Sequence, residues 1–130
     1  DQGWGRIINI SGMASRNTGT VVGSMRNVAV TAMTKNLAAE LGMHGINVTV
    51  IHPGMTRTEA TEGVVARRAA AEGISEAEVE QNLAQGNLSG TIIDSSDIAY
   101  VATMLASPLS IAINGDVIAA AGGVGTAIYY

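Results

Sequence analysis

Apolar positions along this chain recur with two different periods. Arg6-Ile7-Ile8-Asn9-Ile10-Ser11 is short, β-branched and mostly apolar, the composition of a buried parallel strand. Residues 12–19 are rich in Gly, Ser, Asn and Thr and read as a loop. The period then lengthens. Val22, Met25, Ala29, Met33, Leu37 and Leu41 fall three and four apart, one apolar stripe on a helix over residues 20–41. Gly42 follows where a left-handed helix cap is expected. Ile46, Val48, Val50 and Ile51 predict a second strand, closed by His52-Pro53-Gly54. Residues 55–93 form a polar helical excursion or lid, read as a loop and two polar helices. Ser75-Glu76-Ala77-Glu78 is a capping box at the start of one of them. Asp94-Ser95-Ser96-Asp97 caps a further helix through Ile98, Val101, Ala102 and Leu105, which Ser107-Pro108 stops. Asn114-Gly115 is a turn, and residues 117–121 a third strand ending at Gly122-Gly123.

Strand, helix, strand, excursion, helix, strand is an α/β order. Helical crossovers of ten or more residues imply parallel strands joined right-handedly. Three strands are few for a parallel sheet, whose faces and edges need cover. The 130-residue length fits one domain, taken here as residues 1–130.

Composition narrows the function classes. Hydrophobic residues make up 47% and charged residues only 14%, the reverse of a disordered chain. A net charge of -4 argues against a nucleic-acid surface. With no cysteine and two histidines, neither a disulfide framework nor a metal cluster is expected. From Ile98 onward Asp116 is the only formal side-chain charge, yet Pro108, the serines and the glycines break that stretch before a membrane span forms. The charge shortage reads either as a tightly packed core or as surface hidden against another copy or a missing piece. The chain opens at Asp1 without a signal pattern, so a cut start and a cytoplasmic location are the expectations.

Three blocks carry a resemblance: Gly5-Arg6-Ile7-Ile8-Asn9-Ile10-Ser11, then residues 33–42 (MTKNLAAELG) with Gly45-Ile46-Asn47-Val48, then Pro53-Gly54-Met55-Thr56-Arg57-Thr58. Leu105-Ala106-Ser107-Pro108, Ile113-Asn114-Gly115 and Gly122-Gly123 continue it. In order and spacing these resemble the C-terminal half of a short-chain dehydrogenase/reductase. The resemblance implies a partial Rossmann-like, doubly wound parallel sheet, its strands equivalent to the last three of seven. NAD or NADP is the cofactor it implies. The glycine-rich turn that seats the pyrophosphate belongs to the half that would precede Asp1. Gly122-Gly123-Val124-Gly125 follows the last strand and cannot be that turn.

The family's reaction uses a Ser, a Tyr and a Lys, the Lys four residues after the Tyr on one helix face. Counting back from Thr34-Lys35, the Lys position falls on Asn27 and the Tyr position on Gly23. The Ser position falls on Gly12, or on Ser11 if the register slips by one. Neither Gly nor Asn titrates near neutral pH, so neither replaces the proton donor. Tyr100, Tyr129 and Tyr130 are not placed to substitute. The resemblance therefore implies a family protein impaired as a dehydrogenase. The cofactor-facing residues it implies are Asn9, Ser11, Pro53, Gly54, Thr56 and Thr58, and binding of NAD(P) by this chain alone is doubtful.

Two other functions stay open. One is a non-catalytic, homo-oligomeric scaffold assembled through residues 20–41 and 94–121, segments poor in charge that family members bury between subunits. The outer edge of the first strand could also pair with a counterpart, and the missing N-terminal half is a further possible partner. The second is a weak hydrolase using Ser11 or Ser24 beside Arg26, for which no base is visible. His44 and His52 carry no carboxylate at a telling spacing and read as a turn residue and a strand-end residue. The six methionines read as gap-fillers in core and interface.

Overall fold

A computed structural model describes residues 2–125. Its central sheet has three parallel strands in the order β1-β2-β5: β1 is Gly5–Ile10, β2 is Ile46–Pro53 and β5 is Val117–Ala120. Helix α1 (Val21–Leu41) connects β1 to β2. Helices α2 (Thr61–Glu72) and α3 (Glu76–Ala84) fill the excursion, and α4 (Ser95–Ala106) leads back to β5. The expected alternation and parallel pairing are both present. Tyr129 and Tyr130 lie outside the described residues.

Side chains alternate across a strand, and hydrogen bonds show which helix lies on which face. Asn9 of β1 reaches Thr34 of α1 at 2.9 Å. Arg6, of the opposite parity, bonds to the Ser107 carbonyl at 3.4 Å and to Ser110 Oγ at 3.3 Å, beside the end of α4. Helices α1 and α4 thus cover opposite faces, as in a doubly wound sheet. Central β2 is buried on both faces: Val48, Val50 and Ile51 are at 0% exposure. Outer β1 is not, with Ile7 and Ile10 exposed on opposite faces.

Several sequence expectations need correction. Gly42 is not the left-handed cap. Its φ is -59°, and a short 3-10 turn over Gly42–His44 carries the chain on to Gly45, whose φ is 75°. A Cβ at Gly45 would lie 2.1 Å from the Gly3 carbonyl oxygen, so this position needs glycine twice over. The apolar stripe of α1 is not the face that packs. Val22 and Met25 are 76% and 67% exposed, whereas Asn27, Thr34 and Ala38 are buried. Small side chains let the helix approach the sheet closely, and their polar atoms find partners there. Thr34 Oγ1 donates to the Val30 carbonyl at 2.9 Å and accepts from Asn9. The first strand ends at Ile10 rather than Ser11, though the Ser11 amide still donates to the Ile51 carbonyl at 2.9 Å. The third ends at Ala120.

The excursion carries the two expected polar helices and the Ser75–Glu78 capping box. It also holds a feature the pattern does not announce. Two-residue strands β3 (Thr56–Arg57) and β4 (Ile93–Asp94) pair in parallel and close the excursion at its base. Val65, Ala69 and Val79 form a small core between α2 and α3, so the excursion is more than a solvated face.

Candidate functional site

The C-terminal ends of β1, β2 and β5 lie side by side, where ligands approach parallel α/β sheets. Thr20 starts α1 beside them, its Oγ1 accepting from the Gly23 amide at 3.1 Å. The three positions matched to the catalytic residues come together here, Gly23 and Asn27 one turn apart on α1 and Ser11 or Gly12 just after β1. Ser11 Oγ donates to Asn27 Oδ1 at 2.8 Å, and Asn27 Nδ2 donates to the Gly23 carbonyl at 2.7 Å. A Cβ on Gly12 would stand 3.3 Å from Asn27 Oδ1, so the residues on either side of the register question both face Asn27. Asn27 is buried at 7% exposure, and its amide is spoken for at both ends. Across this constellation nothing gives or takes a proton near neutrality.

A second polar group adjoins it. His52, at 1% exposure, stands on the α1-facing side of β2. Its Nδ1 lies 2.8 Å from Ser15 Oγ and its Nε2 lies 3.2 Å from Thr31 Oγ1. Thr31 Oγ1 donates to the Asn27 carbonyl at 3.0 Å, so the two groups share a residue. Burial lowers the imidazole pKa from its ordinary 6.5, and the nearby Arg16 guanidinium lowers it further. Sequence reasoning passed over Ser15 and Thr31 and read His52 as a strand-end residue. One signal was available: Thr31 lies four residues after Asn27, on the same helix face.

The remaining candidates are occupied locally. Asn9 donates to Thr34 rather than toward the strand ends. Pro53 is the last residue of β2, and the Gly54 amide donates to the Ala120 carbonyl at 3.3 Å. Gly54 lies against β5, since a Cβ there would meet that of Ala121 at 2.9 Å. Thr56 Oγ1 donates back to the Gly54 carbonyl at 3.1 Å. Thr58 turns into α2, its amide donating to Thr61 Oγ1 at 2.8 Å. Ser24 is half-buried, Arg26 exposed, and Tyr100 exposed on α4. Among the described residues no group of His, Asp and Glu could hold a metal ion, and no helix is long and apolar enough to cross a membrane.

NAD(P) fits this set of residues only in part. Gly54, Thr56 and Thr58 offer backbone and hydroxyl groups at the end of β2. Asn27, matched by the resemblance to the family's lysine position, has its amide committed to Ser11 and Gly23. No step through the cofactor follows from these residues.

A family model described as enoyl-(acyl carrier protein) reductase matches residues 1–125. Short-chain reductase protein NovJ of Streptomyces niveus is 33% identical over 123 residues, 94% of this chain and 45% of that protein. NADPH-dependent reductase BacG of Bacillus subtilis is 31% identical over 122 residues, 92% of this chain and 47% of that protein. Among solved structures, YwfH, an NADPH-dependent reductase involved in bacilysin biosynthesis, superposes with a TM-score of 0.85 at 29% identity, covering 97% of this chain and 49% of that one. The chain spans about half the length of the curated relatives it matches. With the doubly wound arrangement of its strands and helices and a match along nearly its whole length, the chain belongs to the short-chain dehydrogenase/reductase family.

Proposed function

We propose that this chain is the C-terminal half of an NAD(P)-dependent short-chain reductase fold in which the reductase chemistry is impaired. The observation that carries this reading is the engagement of Asn27. At the place of the family's lysine stands an amide, hydrogen-bonded to Ser11 and to the Gly23 carbonyl. At the place of the tyrosine stands Gly23, with no side chain to donate a proton. Even with Ser11 in the serine role, a substrate carbonyl would meet a hydroxyl already donating to Asn27 and no acid to complete the transfer. The pyrophosphate-binding glycine turn belongs to the complementary half of the fold, so the strand ends present only one side of a dinucleotide site. The same bond weakens the hydrolase reading, because among the described residues Ser11 Oγ meets an amide oxygen and a carbonyl rather than a base.

Titrating the chain with NADPH and with NADH, followed by calorimetry, tests the reading. Neither cofactor is expected to bind with a Kd below about 1 mM, a free energy of roughly -4 kcal/mol. Micromolar binding, or hydride transfer to any ketone under those conditions, would overturn it.

A second reading, an oligomeric non-catalytic protein, draws on a separate observation. Val21, Val22 and Met25 on α1 are exposed by 75%, 76% and 67%, and Tyr100, Leu109 and Ile111 in and after α4 by 73%, 91% and 72%. These fall in residues 20–41 and 94–121, where assembly is expected. The excursion over residues 55–93, with its own small core, then serves as a lid at the strand ends.

A further inference from the structure

We propose that His52 is a positioning residue. Held as a single Nε2–H tautomer, it clamps the loop after β1 to helix α1 and so fixes Ser11 and Gly12 against Asn27. The inference deepens the reading of the strand ends as the family's site, but the clamp itself is a property of this chain and is tested without ligand.

The clamp follows from counting protons around one ring of contacts. Each hydroxyl beside the ring also reaches a backbone carbonyl at 3.0 Å, Thr31 Oγ1 that of Asn27 and Ser15 Oγ that of Gly12, and each carries a single proton. A neutral imidazole has one N–H and one bare nitrogen, so it donates to one hydroxyl and accepts from the other. The distances choose the direction. The 2.8 Å contact of Ser15 Oγ with Nδ1 is typical of a hydroxyl donor, and the 3.2 Å contact of Nε2 with Thr31 Oγ1 suits a longer ring N–H contact, which puts the proton on Nε2. The Gly12 carbonyl keeps the Ser15 amide as a donor at 3.2 Å when the hydroxyl turns to the ring. The imidazole therefore ties a residue of the 3-10 turn Met13–Ser15 to the middle of α1. Ser11 and Gly12, at the root of that turn, are fixed between this tie and the Ser11–Asn27 bond.

The Ser15–His52 pair has the spacing of a nucleophile and its base, but its surroundings favour an anchor. A general base must become imidazolium, and a nearly inaccessible ring beside Arg16 resists that charge. In the Nε2–H form the bare Nδ1 is the nitrogen a base would use toward Ser15, so what keeps the pair an anchor is the cost of an imidazolium in this buried place beside Arg16.

Ring nitrogen chemical shifts of the 15N-labelled chain at neutral pH decide the tautomer, with the exposed His44 supplying the second set of ring signals. One ring is expected to show a protonated Nε2 and an unprotonated Nδ1, and to vanish in H52N. An Nδ1–H form, or rapid exchange between the two tautomers, would overturn the proposal. Amide hydrogen exchange then separates a clamp from a merely buried ring. S15A and T31V each cut one arm and are expected to speed exchange in residues 12–17 about tenfold. An asparagine at 52 can still accept from Ser15, whereas a glutamine reaches only toward Thr31. H52N should therefore protect the turn better than H52Q, and equal loss in both would overturn the clamp. Labelling of Ser15 by a fluorophosphonate, abolished in H52Q, would equally overturn it by making Ser15 a nucleophile. None of these readouts depends on NADPH, so failure of the clamp and failure of the cofactor reading remain distinguishable.

Discussion

Single residues decide most of what this site can do, and His52 and Asn27 carry the largest share. His52 has a pH signature whose sign follows from its surroundings. Its folded pKa lies below the ordinary 6.5, because burial and Arg16 both oppose the charged ring. The unfolded chain therefore takes up the proton first as pH falls. Stability from this group is complete above about pH 6.5, declines as pH falls below it, and levels off once the folded ring also protonates. Urea unfolding midpoints measured from neutral to mildly acidic pH should fall more steeply for the native chain than for H52N, which lacks the titrating ring. Parallel slopes would show that the ring does not contribute. The sequence resemblance matched Asn27 to the family's lysine position by counting back from Thr34-Lys35. That its amide oxygen would accept from Ser11 was not legible, because that bond depends on how closely α1 approaches the end of β1, whereas the bond to the Gly23 carbonyl stays within the helix.

At the scale of elements, local signals were read well where they act locally. The Ser75–Glu78 box forms as expected: the Glu78 amide donates to Ser75 Oγ at 3.2 Å, and the Ser75 amide donates to Glu78 Oε2 at 2.9 Å. S75A should lower stability by about 1 kcal/mol, read from the denaturant midpoint. The loss should be felt first in α3 and the small core of Val65, Ala69 and Val79, and hydrogen exchange there should rise before it does in β2. Helix α1 is the instructive failure. Its apolar stripe announced a helix correctly, and its first half faces away from the sheet. Hydrophobic periodicity finds the side that avoids water. It does not distinguish a side buried against this chain's own sheet from one left for another surface. The face that packs on β1 and β2 carries the small Ala38 together with Asn27, Thr31 and Thr34, which look polar until their hydrogen bonds are drawn. Gly42 failed for a related reason: the chain took one more 3-10 turn, and the left-handed residue moved to Gly45.

The three-stranded sheet has edge strands on both sides, β1 and β5, around central β2. Central β2 is sealed between two helices, while β1 has an open edge and exposed isoleucines on both faces. Such an edge, beside the uncovered stripe of α1, is a template for association. In sedimentation velocity at micromolar concentrations the chain is expected to run as a dimer or larger. V22E/M25E should shift it toward monomer while leaving its unfolding midpoint within about 0.5 kcal/mol, because both residues are exposed. A native chain that stays monomeric would sink the oligomeric reading.

By itself the sequence determined the order of strands and helices, their parallel pairing and the capping boxes. Each of these rests on short-range periodicity or on residue identities that no packing can change. Only the tertiary structure decided which face of α1 meets the sheet, that β3 and β4 close the excursion, and that Ser15, Thr31 and His52 form one circuit with Asn27 and Ser11. Those outcomes depend on distances of about 3 Å between residues far apart in the chain, and such distances are set by helix-on-sheet packing, to which a pattern of polar and apolar letters is blind.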